Sequence, residues 1–121
     1  MNNLEVSSTE KKRIDKVILA SISKSWDDFK RLSDEPFSNE KSMLEQFQYS
    51  SKWIRQSRES LNKSIKMTLL EDGGRLIYTM LKSKNGTNII LTMHSTDDSE
   101  LSIISIWSFF QELDINSLFD S

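Results

Sequence analysis

The sequence predicts an α+β domain: two N-terminal helices, a three- or four-stranded antiparallel β-meander, and a C-terminal helix covering the same sheet. Three observations carry this. Residues 65–95 alternate apolar and polar side chains over three short runs, the period that sends every second residue to a buried face. Two glycine-marked turns, Asp72-Gly73-Gly74 and Asn85-Gly86, separate the runs, and glycine supplies the positive φ that tight hairpins require. Before the meander, apolar residues recur every three or four positions, the spacing of amphipathic helices.

The first helix starts at Ser7, where Ser7 and Glu10 stand three apart as a capping box. Ile14, Val17, Ile18, Ile22, Trp26, Phe29 and Leu32 then mark one face as far as Ser33. Pro36 disfavours helical geometry in the residue before it and closes the helix. Ser38 or Asn39 caps a second helix to about Asn62, with Leu44, Phe47, Ile54 and Leu61 as its seam. Ser50, Ser51, Ser57 and Arg58 interrupt that seam, so the helix is expected to bend near Ser50 or to be lightly buried there.

The meander follows. Ile65, Met67 and Leu69 form one face of the first strand, Leu76, Tyr78 and Met80 alternate with Ile77, Thr79 and Leu81 in the second, and Ile89, Leu91 and Met93 mark the third. The second and third strands are apolar on both faces, whereas a sheet with one wet face needs only alternation. A second cover is therefore expected, a helix or another protein. Ile103, Ile106, Trp107, Phe110 and Leu113 have helical spacing, which favours a C-terminal helix from Ile106. The alternation at Leu101-Ser102-Ile103 and the β-branched Ile103, Ile104 and Ile106 leave a strand extending to 106 as the alternative. Ile115, Leu118 and Phe119 beyond it should dock on this core or on a second copy.

A chain of 121 residues is expected to form a single domain, 1–121. No apolar run approaches the length of a membrane span, and residues 1–8 lack the basic and apolar regions of a signal peptide, so a cytoplasmic protein is expected. There is no cysteine, which excludes disulfides, thiolate catalysis and zinc–thiolate sites. With 21 serines against one alanine, the composition reads as an A+T-rich coding background, a weak pointer to a bacterial, phage or mobile-element origin.

Charge is distributed unevenly. Residues 1–84 hold all sixteen bases and twelve acids, a net +4, whereas residues 85–121 hold six acids and no base. Those acids are Asp97, Asp98, Glu100, Glu112, Asp114 and Asp120. They either neutralise the basic part internally or form a surface for a basic partner. Tyr49, Lys52, Trp53, Arg55, Gln56 and Lys63 interleave aromatic and basic groups as nucleic-acid surfaces do. The net charge of −2 and the fit of Trp53 to a core edge argue against that partner.

No chemistry-bearing motif stands out. His94 is the only histidine, and Ser95, Asp97, Asp98 and Ser99 follow it, a proximity expected by chance in so serine-rich a chain. The acids lack calcium-loop spacing, and Gly73-Gly74 sits in a hairpin rather than opening a helix. No enzyme activity, cofactor or metal is expected. The function these features point to is a protein-binding module, such as a small inhibitor or immunity protein blocking a basic, nuclease-like toxin. Its expected contact residues are Asp97, Asp98, Glu100, Glu112 and Asp114, with Trp107 or Phe109 as a buried anchor. The alternatives are a dimeric secretion-type chaperone, with its apolar sheet face holding a client, and a small nucleic-acid-binding module.

Overall fold

Ser7 opens the first helix as its neighbours require. Its hydroxyl accepts the Glu10 N–H at 3.1 Å, and the Glu10 carboxylate accepts the Ser7 N–H at 2.7 Å, a reciprocal capping box. The computed structural model describes residues 5–57, 61–82 and 88–112. In chain order these form α1 (Ser8–Ile22), α2 (Trp26–Arg31), α3 (Glu40–Gln56), β1 (Asn62–Leu69), β2 (Arg75–Lys82), β3 (Asn88–Ser95) and β4 (Ile104–Glu112).

The single helix expected over residues 7–33 is two. After Ile22 the Lys24 N–H donates to Ser21 O and the Ser25 N–H donates to Ala20 O, which closes α1 as a Schellman motif. Lys24 takes φ of 57°, a left-handed conformation that normally falls to glycine. Ser25 then starts α2, its hydroxyl accepting the Asp28 N–H at 3.2 Å. The apolar spacing runs on unbroken across this corner, so the seam alone does not reveal it.

α3 is capped by Asn39, which accepts the Ser42 N–H at 3.0 Å. The serines that interrupt its seam are buried contacts. Ser50 Oγ donates to Phe109 O at 2.8 Å, and Ser51 Oγ donates to Ser21 O at 2.6 Å. Small hydroxyls here bring α3 close to both β4 and α1 and answer carbonyls that water does not reach.

The sheet is antiparallel throughout, in the order β1-β2-β3-β4. Leu70 and Gly74 close the first hairpin, with Gly73 at φ of 87°. The Asn85-Gly86 turn lies outside the described residues. Ile77, Leu81, Ile89, Leu91, Met93, Ile104, Ile106 and Phe109 face the helices and are buried with Ile14, Val17, Phe29, Met43, Phe47 and Ile54. Phe29 stacks on Phe109 at 5.4 Å and lies 4.7 Å from Phe47, with Trp26 and Phe37 around them.

The C-terminal helix expected from Ile106 is replaced by β4, and Leu113 onward lies outside the described residues. A bulge explains the misleading period. Register slips between Thr92 and Met93, so Met93 faces Ile106 while Thr92 faces Ser108. Trp107 is the extra residue, and core-facing positions fall at 104, 106 and 109. A step of three within a strand imitates helical spacing. The outer face of the sheet, where a second cover was expected, stays open among the described residues, with Tyr78, Trp107 and Phe110 exposed.

β4 is an edge strand, and the helical layer answers backbone groups of Ile104, Ile106 and Phe109 along it. Asp34 pairs with Ile104 twice, its N–H donating to Ile104 O and its carboxylate accepting the Ile104 N–H, each at 2.8 Å. Ser33 Oγ accepts from Ile106 N–H at 3.0 Å and Gln46 Oε1 from Phe109 N–H at 2.7 Å. Arg13 holds this linker, donating to Leu32 O and to Asp34 Oδ1. β1 forms the opposite edge, with Lys63 paired to Asp15 at 3.1 Å.

The sheet and α1 are joined by a buried ion pair. Arg75 Nε donates to Glu10 Oε2 at 2.8 Å and Arg75 Nη2 to Glu10 Oε1 at 2.9 Å. Arg75 Nη2 also reaches Glu5 O at 3.0 Å. Burial pushes the Glu10 carboxyl up, but hydrogen bonds from Arg75 and from the Ser7 N–H, with the charge of Arg75, carry it below its ordinary value.

Two outcomes follow from these contacts. Lys24→Gly should raise the unfolding free energy by about 1 kcal/mol, because glycine takes the left-handed region without the Cβ clash; the shift in urea midpoint measures it. Glu10→Ala should cost about 3–5 kcal/mol by stranding Arg75, whereas Glu10→Leu with Arg75→Met should cost far less than either single change. Because the folded-state acidity of Glu10 is strengthened, its contribution is complete above the unfolded-state pKa of about 4.3 and is lost as pH falls through the lower folded value. Denaturation followed from pH 7 to pH 3 should therefore show a shallower acid loss in Glu10→Gln.

Candidate protein-binding surface

The segment joining β3 to β4 is a short loop tied almost entirely to itself. Asp97 Oδ1 accepts from the N–H of Ser99 at 2.8 Å and from its hydroxyl. Ser99 Oγ accepts the Leu101 N–H at 3.2 Å, and Ser99 O the Ser102 N–H at 3.2 Å. Below the tip, Ser102 Oγ shares a hydrogen bond of 2.6 Å with Ser95 Oγ, while Thr96 pairs with Ile103 through backbone and side chain. Short polar side chains that bond to backbone two residues on are what fold such a loop.

This framework faces water with an unusual mixture. Asp97, Asp98 and Glu100 are exposed, and between them and β4 Leu101 is 91% exposed and Ile103 47%. Hydrogen bonds from the Ser99 hydroxyl and N–H hold the Asp97 carboxyl below its ordinary value, so it remains anionic in mildly acidic solution. Trp107, extruded by the bulge, is 54% exposed and lies flat on His94 with ring centres 5.1 Å apart.

The expected contact residues are thus only partly brought together. Asp97, Asp98 and Glu100 share the loop. Trp107 lies on the neighbouring strand, open to solvent. Phe109 is fully buried, stacked on Phe29, so its ring presents nothing at the surface. Glu112 pairs with Asn88 at the far end of β4, about 25 Å from the loop end at the usual strand rise. Asp114 lies outside the described residues. Leu101 and Ile103 were not foreseen as contact residues; the signal for them is the run of Thr96, Asp97 and Ser99, which forms a turn and leaves the following leucine outside.

Other candidates take structural places. His94 and Ser95 point to opposite faces of β3, and Ser95 Oγ is engaged with Asp97 O and Ser102. Among the described residues no group of three or more histidines and acids could hold a metal ion, and no helix is long and apolar enough to cross a membrane. Of the aromatic–basic set, Trp53 packs on the core, Arg55 bonds to Ser51 and Lys63 to Asp15, while Tyr49 is exposed.

Comparison with protein families, curated proteins and solved structures returned no match.

Because Leu101 touches so little, Leu101→Ser should leave stability within about 0.5 kcal/mol of the parent. Trp107→Ala, which removes the ring from His94, should cost about 1 kcal/mol. Chemical denaturation of both variants separates the freely exposed leucine from the half-packed tryptophan.

Proposed function

We propose that this chain is a non-enzymatic protein-binding module, an inhibitor of the immunity-protein kind that blocks a basic, nuclease-like toxin domain. The observation that carries the reading is the loop over residues 97–103, in which a leucine nine-tenths exposed stands among three exposed carboxylates on a framework held by its own hydrogen bonds. Loose exposure of so much apolar surface has a cost in water, and a rigid presentation reduces the ordering entropy lost on association.

Each part has a role in such a complex. Asp97, Asp98 and Glu100 attract a cationic surface and set orientation, raising the association rate at low salt. A nuclease is a fitting target because the site that holds phosphates must be basic. Leu101 and Trp107 supply the desolvated anchors that dominate binding energy at most interfaces, in the place expected for Phe109. Glu112, at the far end of β4, would contribute only to a partner broad enough to span that strand.

The tagged chain, used to recover partners from its source at low and moderate salt, tests this. A basic protein bound at fixed ratio is expected, weakened by salt, released by Asp97→Lys with Asp98→Lys, and bound at least tenfold less well by Leu101→Ser. Recovery of a second copy alone would replace this reading with a dimeric chaperone. Recovery of nucleic acid, lost on Arg55→Ala with Arg58→Ala, would replace it with a nucleic-acid module.

A further inference from the structure

The outer face of the sheet is organised in rows across the strands. Ser64, Met80, Ile90 and Phe110 stand opposite one another in successive strands, with Lys66 and Tyr78 in the row on one side and Lys82 in the row on the other. This face holds a groove of about 320 Å³, lined by Ser64, Lys66, Tyr78, Met80, Lys82 and Ile90. Met80 and Ile90 form its middle row, and the rings of Tyr78 and Phe110 beside them are 36% and 45% exposed. Lys66 and Lys82 stand at its two ends. They are four positions apart in register on adjacent strands, a separation of about 14 Å between backbones. Among the described residues neither lysine is in a salt bridge, whereas Lys63 is paired with Asp15. No acid occupies an outward position of β1, β2 or β3.

We propose that this groove binds an extended segment of a partner protein, one with two carboxylates four residues apart and an apolar side chain midway between them. A contiguous apolar surface with a charged rim marks a contact site, and a face meant only for water needs no Met80 or Ile90. Spacing and charge choose the occupant. In an extended chain residues i, i+2 and i+4 share a face, and i to i+4 spans about 13 Å, close to the separation of the lysines. The two carboxylates then meet Lys66 and Lys82 while the side chain between them covers Met80 and Ile90. A ligand with a single anionic head uses one lysine and leaves the other without a partner. Single-stranded nucleic acid needs rings on which its bases stack, and the middle of this groove is aliphatic. The same face of a second copy brings further lysines and no acid from β1, β2 or β3. This surface is separate from the acidic loop, which follows Ser95 at the end of the sheet away from Lys82 and attracts the opposite charge.

The probe is a fluorescein-labelled peptide, Glu-Thr-Leu-Thr-Glu, titrated with the full chain at low salt and followed by fluorescence anisotropy. It should bind saturably, and at least tenfold more tightly than the same peptide with glutamine for both glutamates or serine for the leucine. Lys66→Glu with Lys82→Glu should weaken the parent peptide at least tenfold and create binding of Lys-Thr-Leu-Thr-Lys. Both lysines are exposed, so circular dichroism and the urea midpoint of this variant should match the parent. Asp97→Lys with Asp98→Lys should leave peptide binding intact, so that this groove and the acidic loop succeed or fail separately. No saturation at millimolar protein, or equal binding of the glutamine peptide, would overturn the proposal. Tighter binding of a labelled oligothymidylate, lost in the double lysine variant, would give the face to nucleic acid instead. A dimer in sedimentation that Ile90→Lys splits would give it to a second copy.

Discussion

A strand at the edge of a sheet exposes a row of donors and acceptors, and in β4 that row is occupied by the helical layer. Asp34, Ser33, Gln46 and Ser50 reach it from the linker after α2 and from two turns of α3, meeting Ile104, Ile106 and Phe109. Each bond joins a side chain to a backbone group far away in sequence, so together they fix how the helices sit along the strand. The aromatic cluster of Phe29, Phe47 and Phe109 lies directly beneath them. A shift of α3 by one residue along β4 would break both sets at once. The bulge belongs to the same arrangement, since it realigns Phe109 with the core after Ile104 and Ile106.

Glu10 and Arg75 do the corresponding work between α1 and β2. The capping box makes Glu10 look like a helix-end residue satisfied locally, yet its carboxylate serves Ser7 and Arg75 together. Nothing in the spacing of Glu10 and Arg75, sixty-five positions apart, announces that partnership. Local signals and long-range demands converge here on one side chain, which is why its loss reaches the sheet as well as the helix.

The parts of the fold legible in the sequence are those whose determinants are local. The three meander strands follow from alternation, and the α1 and α3 starts follow from Ser7 and Asn39. The parts that were not legible have non-local or period-breaking causes. Lys24 sits where a glycine would have revealed the corner. Trp107 shifts the β4 alternation into a helical rhythm. Ser50 and Ser51 look like breaks in a seam because their carbonyl partners belong to other elements. For the candidate surface, composition located the acids but not their anchor. The bulge reverses which aromatic faces solvent, exposing Trp107 and burying Phe109, and only turn geometry exposes Leu101.

The two margins of the sheet are unequal. The β4 margin is filled by Asp34, Ser33, Gln46 and Ser50, whereas β1 has no strand beyond it in the sheet order. A strand arriving at the β4 margin would have to displace bonds already made to Ile104, Ile106 and Phe109. The side chains that order β4 therefore also shield that edge from pairing with a neighbouring chain.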